Sequence, residues 1–469
     1  MRKISTLLTA VIVKTVVLTT SVCLPAHAQQ SLRPKTPVAI VNAMLLDGYE
    51  AAPVHRATIV IDDGRILAAG AGHGVTVPDN ATVIDAGGKT VLPGLIDAHV
   101  HVDLIGHGDY DRYYEFLRGT ERLHDVMPIA AKQMLRAGVT SAIDLGTPFE
   151  ILELREQIST KVKTLYQRNV DPVSEVTVLP GATVALFAAI MATVKTGDEV
   201  IVFDPAYDSY EPGIEMAGGK AIHIPLCAPH FSIDWQRVKD SINSRTRLII
   251  LNSPHNPSGA TLSASDLDEL AQLIRGTDIV LLSDEVYEHL VFDGEQHQSL
   301  LRHSELADKA FVVSSFGKTY HVTGWKTGYC VAPAALTAEM RKIHQFVTFV
   351  GVTPIQMALA DMMREHPDYC AELAAFYQAK RNRFSDALAG SKFKIKPAAG
   401  SFFQLVDYSD ISELDDMAMV QWLTREVKVA AIPISVFYQQ APKQHVIRFC
   451  FAKQDSTLLE AAERLCAHC

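Results

Sequence analysis

Two histidines in the first quarter of the chain have the spacing of metal ligands. His99 and His101 close the run GLIDAHVHV, and the single residue between them places both imidazoles on the same side of an extended strand. Two imidazoles do not complete a catalytic metal site. A metal-dependent chemistry therefore requires further ligands elsewhere in the chain.

A second group of reactive side chains lies beyond the middle of the chain. In SSFGKTYHVTGWKTGY, Ser315 precedes Lys318 by three residues and Lys326 follows eight residues later. A lysine amine can attack a carbonyl carbon and form a covalent intermediate. A lysine in a glycine-flanked turn is, taken alone, more typical of a solvated surface, so the neighbouring motifs decide between these interpretations.

Four further stretches place polar side chains at the ends of predicted strands, in a turn or at the start of a helix. They are Asp284 and Tyr287 in LLSDEVYEHL, Asn256 in LNSPHNPSG, Gly181, Ala182 and Thr183 in LPGATVALF, and Arg448 in RFCF. Amide groups at a helix N-terminus bind phosphate, and ligands of open α/β sheets bind at the carboxyl ends of strands. Taken singly, Asp284 could be a helix cap, Ser315 a turn residue and Tyr287 a core aromatic.

The elements that would position these side chains form an α/β series from about residue 175. Buried-strand runs alternate with helical stretches such as TVALFAAIMATV and SASDLDELAQLI. The strand runs are EVTV, EVIVFDP, RLIILNSP, DIVLLSDE and AFVVSSFGK. After about residue 335 the pattern becomes helical and then closes with SFFQLVDY, VAAIPIS and HVIRFCFA, which predicts a smaller α+β domain.

In this order, the motifs resemble those of the class I aminotransferases of fold type I, closest to the methionine, glutamine and kynurenine branch. The resemblance extends from about Lys161 to Leu465. It implies the large and small domains of that fold, pyridoxal 5'-phosphate as the cofactor, and a homodimer. It also implies amino-group transfer from a methionine-type or aromatic amino acid to a 2-oxo acid.

The resemblance also implies a role for each residue. Lys318 would form a Schiff base with the cofactor and then shuttle a proton, and Asp284 would keep the ring nitrogen protonated. Arg448 would bind the substrate carboxylate, with Asn256 beside it. The other cofactor contacts would come from Gly181, Ala182, Thr183, Tyr207, Asn256, Tyr287, Ser315 and Lys326. Tyr207, in DPAYDSY, would stack on the cofactor ring, or else be a plain core aromatic.

Residues from about 37 to 158 resemble the start of a metal-dependent amidohydrolase of the imidazolonepropionase-like kind, through VLPGLIDAHVHVD and AGVTSAIDLG. The resemblance implies a partial β-sandwich, followed by two strands of an incomplete amidohydrolase barrel. His99 and His101 would be the first two metal ligands. The later ligands are not recognisable after Ser159, so we expect a vestigial pair, no divalent metal, and a fusion of two truncated parts joined between about 150 and 163.

The first thirty residues have the pattern of a secretory signal peptide. Arg2 and Lys3 precede an apolar stretch that ends in Ala26-His27-Ala28. The predicted segments are a signal peptide at 1–28, an amidohydrolase-like part at 29–158, a large domain at 159–335 and a small domain at 336–469. The signal predicts an exported or periplasmic protein, whereas aminotransferase relatives are cytoplasmic. No stretch of 18 apolar residues predicts a stable membrane anchor.

Composition limits the remaining function classes. The chain has 469 residues, 48% of them hydrophobic and 20% charged, and a net charge of -10, which is typical of a folded protein of two or three domains without a nucleic-acid partner. Three functions stay open. The first is an aminotransferase, whose activity is impaired if it needs the family's N-terminal segment, because that segment is not recognisable before Lys161. The second is an exported metal-dependent hydrolase of C–N bonds. The third is a fusion product without activity.

Overall fold

The computed structural model describes residues 36–48, 52–102, 123–144 and 151–469. The chain divides into two units, Met1–Phe149 and Glu150–Cys469. The predicted signal peptide at 1–28 lies outside the described residues. Within them, no helix is both long and apolar enough to cross a membrane.

Five strands of the first unit form one mixed sheet. They are β1 (Val38–Leu45), β2 (Val54–Asp62), β3 (Arg65–Ala71), β4 (Thr82–Asp85) and β5 (Thr90–Val91). β1 pairs antiparallel with β2 and parallel with β4 and β5, and β2 pairs antiparallel with β3. The β2–β3 hairpin turns at Asp63 and Gly64, both with positive φ, as the Asp-Gly signal predicts. Among the described residues, the expected sandwich portion is thus a single layer.

The first unit also contains a strand-helix-strand segment. β6 (Leu95–Val100) and β7 (Val139–Asp144) pair in parallel, with α1 (Leu123–Arg136) between them in the chain. The order predicted from the sequence is confirmed. Leu95, Ile96 and Ile143 are more than half exposed, because this two-stranded sheet has apolar faces that the described residues leave uncovered. The described part of the chain contains no barrel.

A seven-stranded sheet forms the centre of the second unit. Its strands are β8 (Val176–Leu179), β9 (Glu199–Asp204), β10 (Lys220–Pro225), β11 (Thr246–Asn252), β12 (Val280–Asp284), β13 (Ala310–Ser315) and β14 (Gly328–Val331), in the order β10-β9-β11-β12-β13-β14-β8. β14 runs antiparallel to both of its neighbours, β13 and β8, and the other six strands of this sheet run in one direction. Every residue of β9 is buried, as expected for a strand covered on both faces.

Helices cover both faces of this sheet. The helices of the second unit are α2 (Ile151–Tyr166), α3 (Ala182–Thr193), α4 (Tyr210–Met216), α5 (Trp235–Ser241), α6 (Ala264–Ile274), α7 (Ser304–Ala307), α8 (Phe316–Thr319), α9 (Ala334–Val347), α10 (Thr353–Glu365), α11 (Tyr369–Ala387), α12 (Asp416–Trp422) and α13 (Asp455–His468). On one face, Leu154 and Ile158 of α2 pack in a core with Leu267 of α6. On the other, Leu186 of α3 packs with Met340 of α9.

A smaller antiparallel sheet closes the chain. β15 (Lys394–Ile395), β16 (Phe403–Asp407), β17 (Ile432–Pro433) and β18 (Val446–Cys450) lie in the order β15-β16-β18-β17. Their core includes Phe384 of α11, Phe449 of β18 and Leu458 of α13. α9 and α10 pack with the large sheet instead, through Met340 and Leu359. The predicted fold, a doubly covered α/β domain followed by a small α+β domain, is confirmed.

Candidate active site

Strand ends of the large sheet and the N-terminus of α3 surround a cavity of about 270 Å³. All eleven residues that the sequence assigns to cofactor, substrate or catalysis line it: Gly181, Ala182, Thr183, Tyr207, Asn256, Asp284, Tyr287, Ser315, Lys318, Lys326 and Arg448. They come from positions more than 260 residues apart, so the fold alone brings them together. The predicted convergence at the carboxyl ends of the strands is therefore observed.

One end of the cavity is built to hold an anion. Gly181 precedes α3 with a φ of 87° and no side chain to cap the helix, so amide groups of its first turn face the cavity without an internal partner. A Cβ built on Gly181 would lie 3.6 Å from Lys326 Nζ, and one on Gly328 would lie 2.8 Å from Ala182 N. The absent Cβ atoms thus keep open a cradle of backbone amides beside an ammonium group. This cradle fits a phosphate.

At another wall, β12 ends in a buried carboxylate. Asp284 is 4% exposed, and its Oδ2 accepts a hydrogen bond of 2.7 Å from the Tyr210 hydroxyl. Burial raises the pKa of Asp284 to about 6, and the hydrogen bond from Tyr210 opposes that rise. A buried carboxylate that faces a cavity is suited to a cationic group, such as a protonated ring nitrogen.

Lys318 lies on the short helix α8, directly after β13. Its Nζ is 5.4 Å from the centroid of the Phe402 ring and 5.8 Å from that of the Tyr287 ring. Burial lowers the pKa of Lys318, because the apolar surroundings disfavour the ammonium form. A larger share of neutral amine makes this lysine a better nucleophile and a better proton acceptor.

Arg448 reaches the cavity from β18 of the small domain. Its Nη1 donates a hydrogen bond of 2.5 Å to Asn256 Oδ1, and its guanidinium stands 4.0 Å from the centroid of the Phe403 ring. Its Nε is buried and has no hydrogen-bond partner among the described residues. The Arg448 guanidinium therefore retains donors for a ligand carboxylate, which it can bind at two points.

Sequence reasoning missed three residues of this site. Asn252 joins two strand ends, since its Nδ2 donates to the Asp284 backbone oxygen at 2.9 Å and its Oδ1 accepts from Asn256 N at 2.8 Å. The Tyr210 hydroxyl donates a hydrogen bond to Asp284, and the ring of Phe403 packs against the Arg448 guanidinium. Asn252 ends its strand as Asp284 does, and that shared position was the available signal. Nothing local marks Phe403.

Replacing Tyr210 by phenylalanine should move the pH dependence of cofactor affinity. The hydroxyl favours the ionised form of Asp284, so its loss raises the carboxyl pKa above about 6. The expected shift of the acidic midpoint is up to about one pH unit upward, the equivalent of one hydrogen bond to a charged group. Fluorescence titration of apoprotein with pyridoxal phosphate from pH 5 to 8 measures it. Tyr438→Phe, outside the cavity, is the control, and equal midpoints in all three proteins would refute the assigned role.

The histidine pair of the first unit is close but isolated from other ligands. His99 Nε2 lies 3.2 Å from His101 Nε2, as expected for side chains on one side of a strand. Within the described ranges, no group of three or more His, Cys, Asp or Glu residues is arranged to hold a metal ion. The described part of the chain therefore does not supply the further ligands that a catalytic metal site would need.

Changing both His99 and His101 to alanine should therefore leave metal content and transamination unaltered. Two imidazoles without further ligands bind divalent metals too weakly to retain them through purification. Elemental analysis of the purified wild type and double variant, with an activity assay on the same samples, provides the comparison. A stoichiometric metal in the wild type that the variant loses would reveal a working site.

Comparison with known proteins identifies the family of the chain. The sequence model of the family aminotransferase class I and II matches residues 114–465, three quarters of the chain. The chain belongs to this family. The match begins well before Lys161, where the resemblance of the individual motifs starts.

Two relatives and one solved structure illustrate the similarity of this aminotransferase. A methionine aminotransferase of Escherichia coli (strain K12) is 52% identical over 312 residues, which cover 66% of this chain and 81% of the relative. Kynurenine–oxoglutarate transaminase 3 of Rattus norvegicus is 36% identical over 330 residues, covering 64% of this chain and 72% of the relative. The crystal structure of an Escherichia coli protein with a methionine aminotransferase function superposes with a TM-score of 0.67 at 52% identity, covering 67% and 84% of the two chains.

Family membership and this degree of similarity define the activity. The protein is an enzyme that transfers amino groups between amino acids and 2-oxo acids, and class I aminotransferases use pyridoxal phosphate for this reaction. The amidohydrolase function is not supported by any of these similarities. The expected aminotransferase activity is thus confirmed at the level of the reaction.

Proposed function

We propose that this aminotransferase binds pyridoxal phosphate in the cavity around Lys318 and transfers the amino group of methionine, or of a similarly apolar amino acid, to a 2-oxo acid. The observation that carries the proposal is the meeting of a lysine with a lowered pKa, a buried carboxylate, an anion cradle and an arginine with free donors in one cavity. These groups fit pyridoxal phosphate, because the cradle can bind its negative phosphate and the Asp284 carboxylate can pair with its protonated ring nitrogen.

The residues that would hold the cofactor lie on three walls. The amides of Ala182 and Thr183, with Ser315 and Lys326, would bind the phosphate, and Asp284 would pair with the ring nitrogen. Asn256 already accepts a bond from Arg448 through Oδ1, so its Nδ2 is the group left to donate to the ring hydroxyl. Bound pyridoxal phosphate supplies an aldehyde that reacts with amines and a ring that withdraws electrons.

The chain's own side chains would then move the proton and orient the substrate. Arg448 binds the substrate carboxylate through donors that the protein leaves unpaired. Lys318, with its lowered pKa, accepts the proton from the substrate α-carbon as a neutral amine. The buried Asp284 carboxylate remains negative above pH 6 and holds a cation at the ring-nitrogen position. Over the whole reaction an amino group and a hydrogen are exchanged for an oxo group, so no external oxidant is needed.

The preference for an apolar substrate side chain rests on the lining beside Lys318 and on the relatives. Tyr287 and Phe403 line the cavity, and with Phe402, which lies beside Lys318, they form a group of packed rings with centroids 4.8 to 5.8 Å apart. Aromatic faces make favourable contacts with thioethers and with other rings. The 52% identical relative is a methionine aminotransferase, which agrees with this lining.

A substrate panel tests the proposal. The purified protein, supplied with pyridoxal phosphate and a 2-oxo acid, is assayed with methionine, phenylalanine and aspartate. We expect kcat/KM to be at least about tenfold higher for methionine and phenylalanine than for aspartate, the discrimination that an apolar pocket provides against a charged side chain. A preference for aspartate would refute the proposed substrate class, and no turnover of any amino acid would refute the functional competence of this cavity.

The family resemblance also leads us to propose a homodimer. Phe346, Phe349 and Val352 are more than half exposed near the end of α9, and together they offer an apolar surface for a second copy. Light scattering coupled to size exclusion would then give twice the mass of the chain. A monomer at micromolar concentration would contradict this.

We further infer that the chain from residue 29 to the start of α2 forms an amidohydrolase-type segment, and that residues 1–28 direct export. Leu154 and Ile158, at the end of the predicted range 29–158, pack in the core of the large domain instead. The segment's parallel β6-α1-β7 order and its histidine pair support the first inference. The family match from residue 114 overlaps this segment and limits its extent. N-terminal sequencing of protein from a periplasmic fraction tests the second, since cleavage after Ala28 is expected.

A further inference from the structure

We propose that a buried polar cluster on the far side of the site wall, formed by Lys161, Tyr166, Glu288 and Tyr329, positions Lys318 relative to Asp284 and Tyr287. These four residues are called the anchor cluster below. None of the four lines the cavity. Lys161 and Tyr166 come from α2, Glu288 from the turn after β12 and Tyr329 from β14. The proposal deepens the proposed function and rests on it.

The centre of the anchor cluster is the Glu288 carboxylate. Its Oε1 lies 2.6 Å from Lys161 Nζ, and its Oε2 accepts a hydrogen bond of 2.5 Å from the Tyr166 hydroxyl. The Tyr329 hydroxyl donates to Oε1 at 3.2 Å and lies 2.5 Å from Lys161 Nζ. Both carboxylate oxygens thus have hydrogen-bond partners, and these partners hold the Glu288 side chain from two directions.

The anchor cluster is fully internal. Tyr166, Glu288 and Tyr329 are at most 6% exposed, and the Lys161 side chain is 12% exposed. Burial disfavours the charged form of Lys161, but the neighbouring Glu288 carboxylate outweighs it and raises the pKa of Lys161. The pair therefore stays ionised, and its attraction acts in surroundings where water screens it little.

Because Glu288 is held in place, the backbone next to it is restrained, and this backbone carries residues that line the cavity. Glu288 follows Tyr287 directly, in the turn DEVYE that starts with Asp284 at the end of β12. The same turn is fixed at its start by Glu285, which accepts hydrogen bonds from His297 Nε2 at 2.9 Å and Leu300 N at 3.1 Å. The two glutamates face away from the cavity, so Asp284 and Tyr287 are left to face it.

Tyr329 transmits the constraint to the lysine. Its ring packs on that of Phe316 with centroids 5.1 Å apart, and Phe316 starts the helix that carries Lys318. Lys161 Nζ also stands 5.2 Å from the centroid of the Tyr329 ring. The Lys161 ammonium group thus contacts two residues. One is Glu288, which holds the turn of Asp284 and Tyr287, and the other is Tyr329, which packs on the helix of Lys318. Loss of these contacts should alter the spacing between that turn and Lys318 without removing any group from the cavity.

The test compares Lys161→Met with Lys163→Met in the full chain. Both changes remove one charge from α2, but Lys163 is exposed and lies outside the anchor cluster. We expect kcat for methionine to fall about ten- to a hundredfold in Lys161→Met, as for an active-site displacement of up to 1 Å, with KM changed less than about threefold. Lys161→Arg keeps a donor for Glu288, so it should restore at least about a third of the decrease in log kcat. Lys163→Met should have the kcat of the wild type.

A second measurement does not depend on turnover. Hydrogen exchange of the apoprotein, followed by mass spectrometry, should show faster exchange in peptides covering 284–290 and 316–320 in Lys161→Met, with peptides of α13 unchanged. If Lys161→Met proves insoluble, Tyr166→Phe removes only one hydrogen bond to Glu288 and serves the same comparison. Unchanged exchange in both peptides, or a kcat that drops no further than in Lys163→Met, would overturn the proposal. A wild-type protein without transamination would instead contradict the proposed function, while the exchange result would still decide on the anchor cluster.

Discussion

Replacing Lys318 by alanine is expected to abolish transamination, with a loss of about 10⁴-fold or more, down to the background rate. Lys318 and Lys326 are the lysines among the described residues that line the cavity, and burial lowers the pKa of Lys318 so that its amine can accept a proton. Lys326 lies at the anion cradle, where its charge is needed for binding.

The measurement is a coupled assay of methionine with a 2-oxo acid, together with the visible spectrum of the protein after incubation with pyridoxal phosphate. The variant should lose the absorbance of the covalently bound cofactor as well as the rate. Lys392→Ala, an exposed lysine of the small domain, is the matched control. Activity of the Lys318 variant within tenfold of the control would disprove its assignment.

Replacing Asp284 by asparagine should lower kcat by about 10²- to 10³-fold while stabilising the apoprotein. Asparagine keeps the shape and can still accept from Tyr210, but it cannot hold a protonated ring nitrogen. Burial raises the pKa of Asp284 from 3.8 to about 6 in the folded chain, so the ionised group opposes folding. The penalty is absent below pH 4, develops between about pH 4 and 6, and is complete above pH 6, where it amounts to about 3 kcal/mol.

Urea denaturation of apoprotein at pH 4.5 and pH 8 provides the test. The gain in stability of Asp284→Asn over the wild type should be larger at pH 8 than at pH 4.5, and Asp278→Asn, an exposed position before β12, should show no such pH-dependent gain. A variant that loses stability at pH 8 would show that Asp284 supports the fold rather than the reaction.

The large domain could be predicted from the sequence because its strands are buried on both faces. Runs such as EVIVFD and RLIILN have no polar alternation, and the structure places them at β9 and β11 in the interior of a parallel sheet. The strand order could not be predicted, because register and neighbours depend on contacts between distant segments. β10 and the antiparallel β14 were missed for a related reason. KAIHIP and GYCV are short, and only their neighbours in the sheet make them strands.

The site was more predictable than the residues that support it. Asp284 ends a strand and Lys318 follows one by three residues, in motifs whose order resembles that of a family, so their convergence could be expected. Tyr210 and Lys161 act through side chains from elements remote in sequence, by contacts that exist only once the chain has folded. The local sequence around Lys161 does not distinguish it from the exposed Lys163, which lies two residues away on the same helix.

The first unit illustrates the limits of local pattern. Its hairpin and its strand-helix-strand order follow from turn residues and from apolar runs, and both were predicted. Its exposed Leu95 and Ile96 show apolar faces without cover among the described residues. The histidine motif at 99–101 is strong as a pattern, but a metal site also depends on ligands that a short motif cannot supply.

Covalent mapping of the cofactor is the most direct test of the site. The full-length protein is mixed with pyridoxal phosphate, reduced with borohydride, digested, and analysed for peptides that carry the added cofactor mass. The account predicts about one cofactor per chain, located on Lys318 in the tryptic peptide AFVVSSFGKTYHVTGWK, with the label lost in Lys318→Ala. A label located mainly on Lys326 or Lys161, or scattered over surface lysines at less than one per chain, would contradict it.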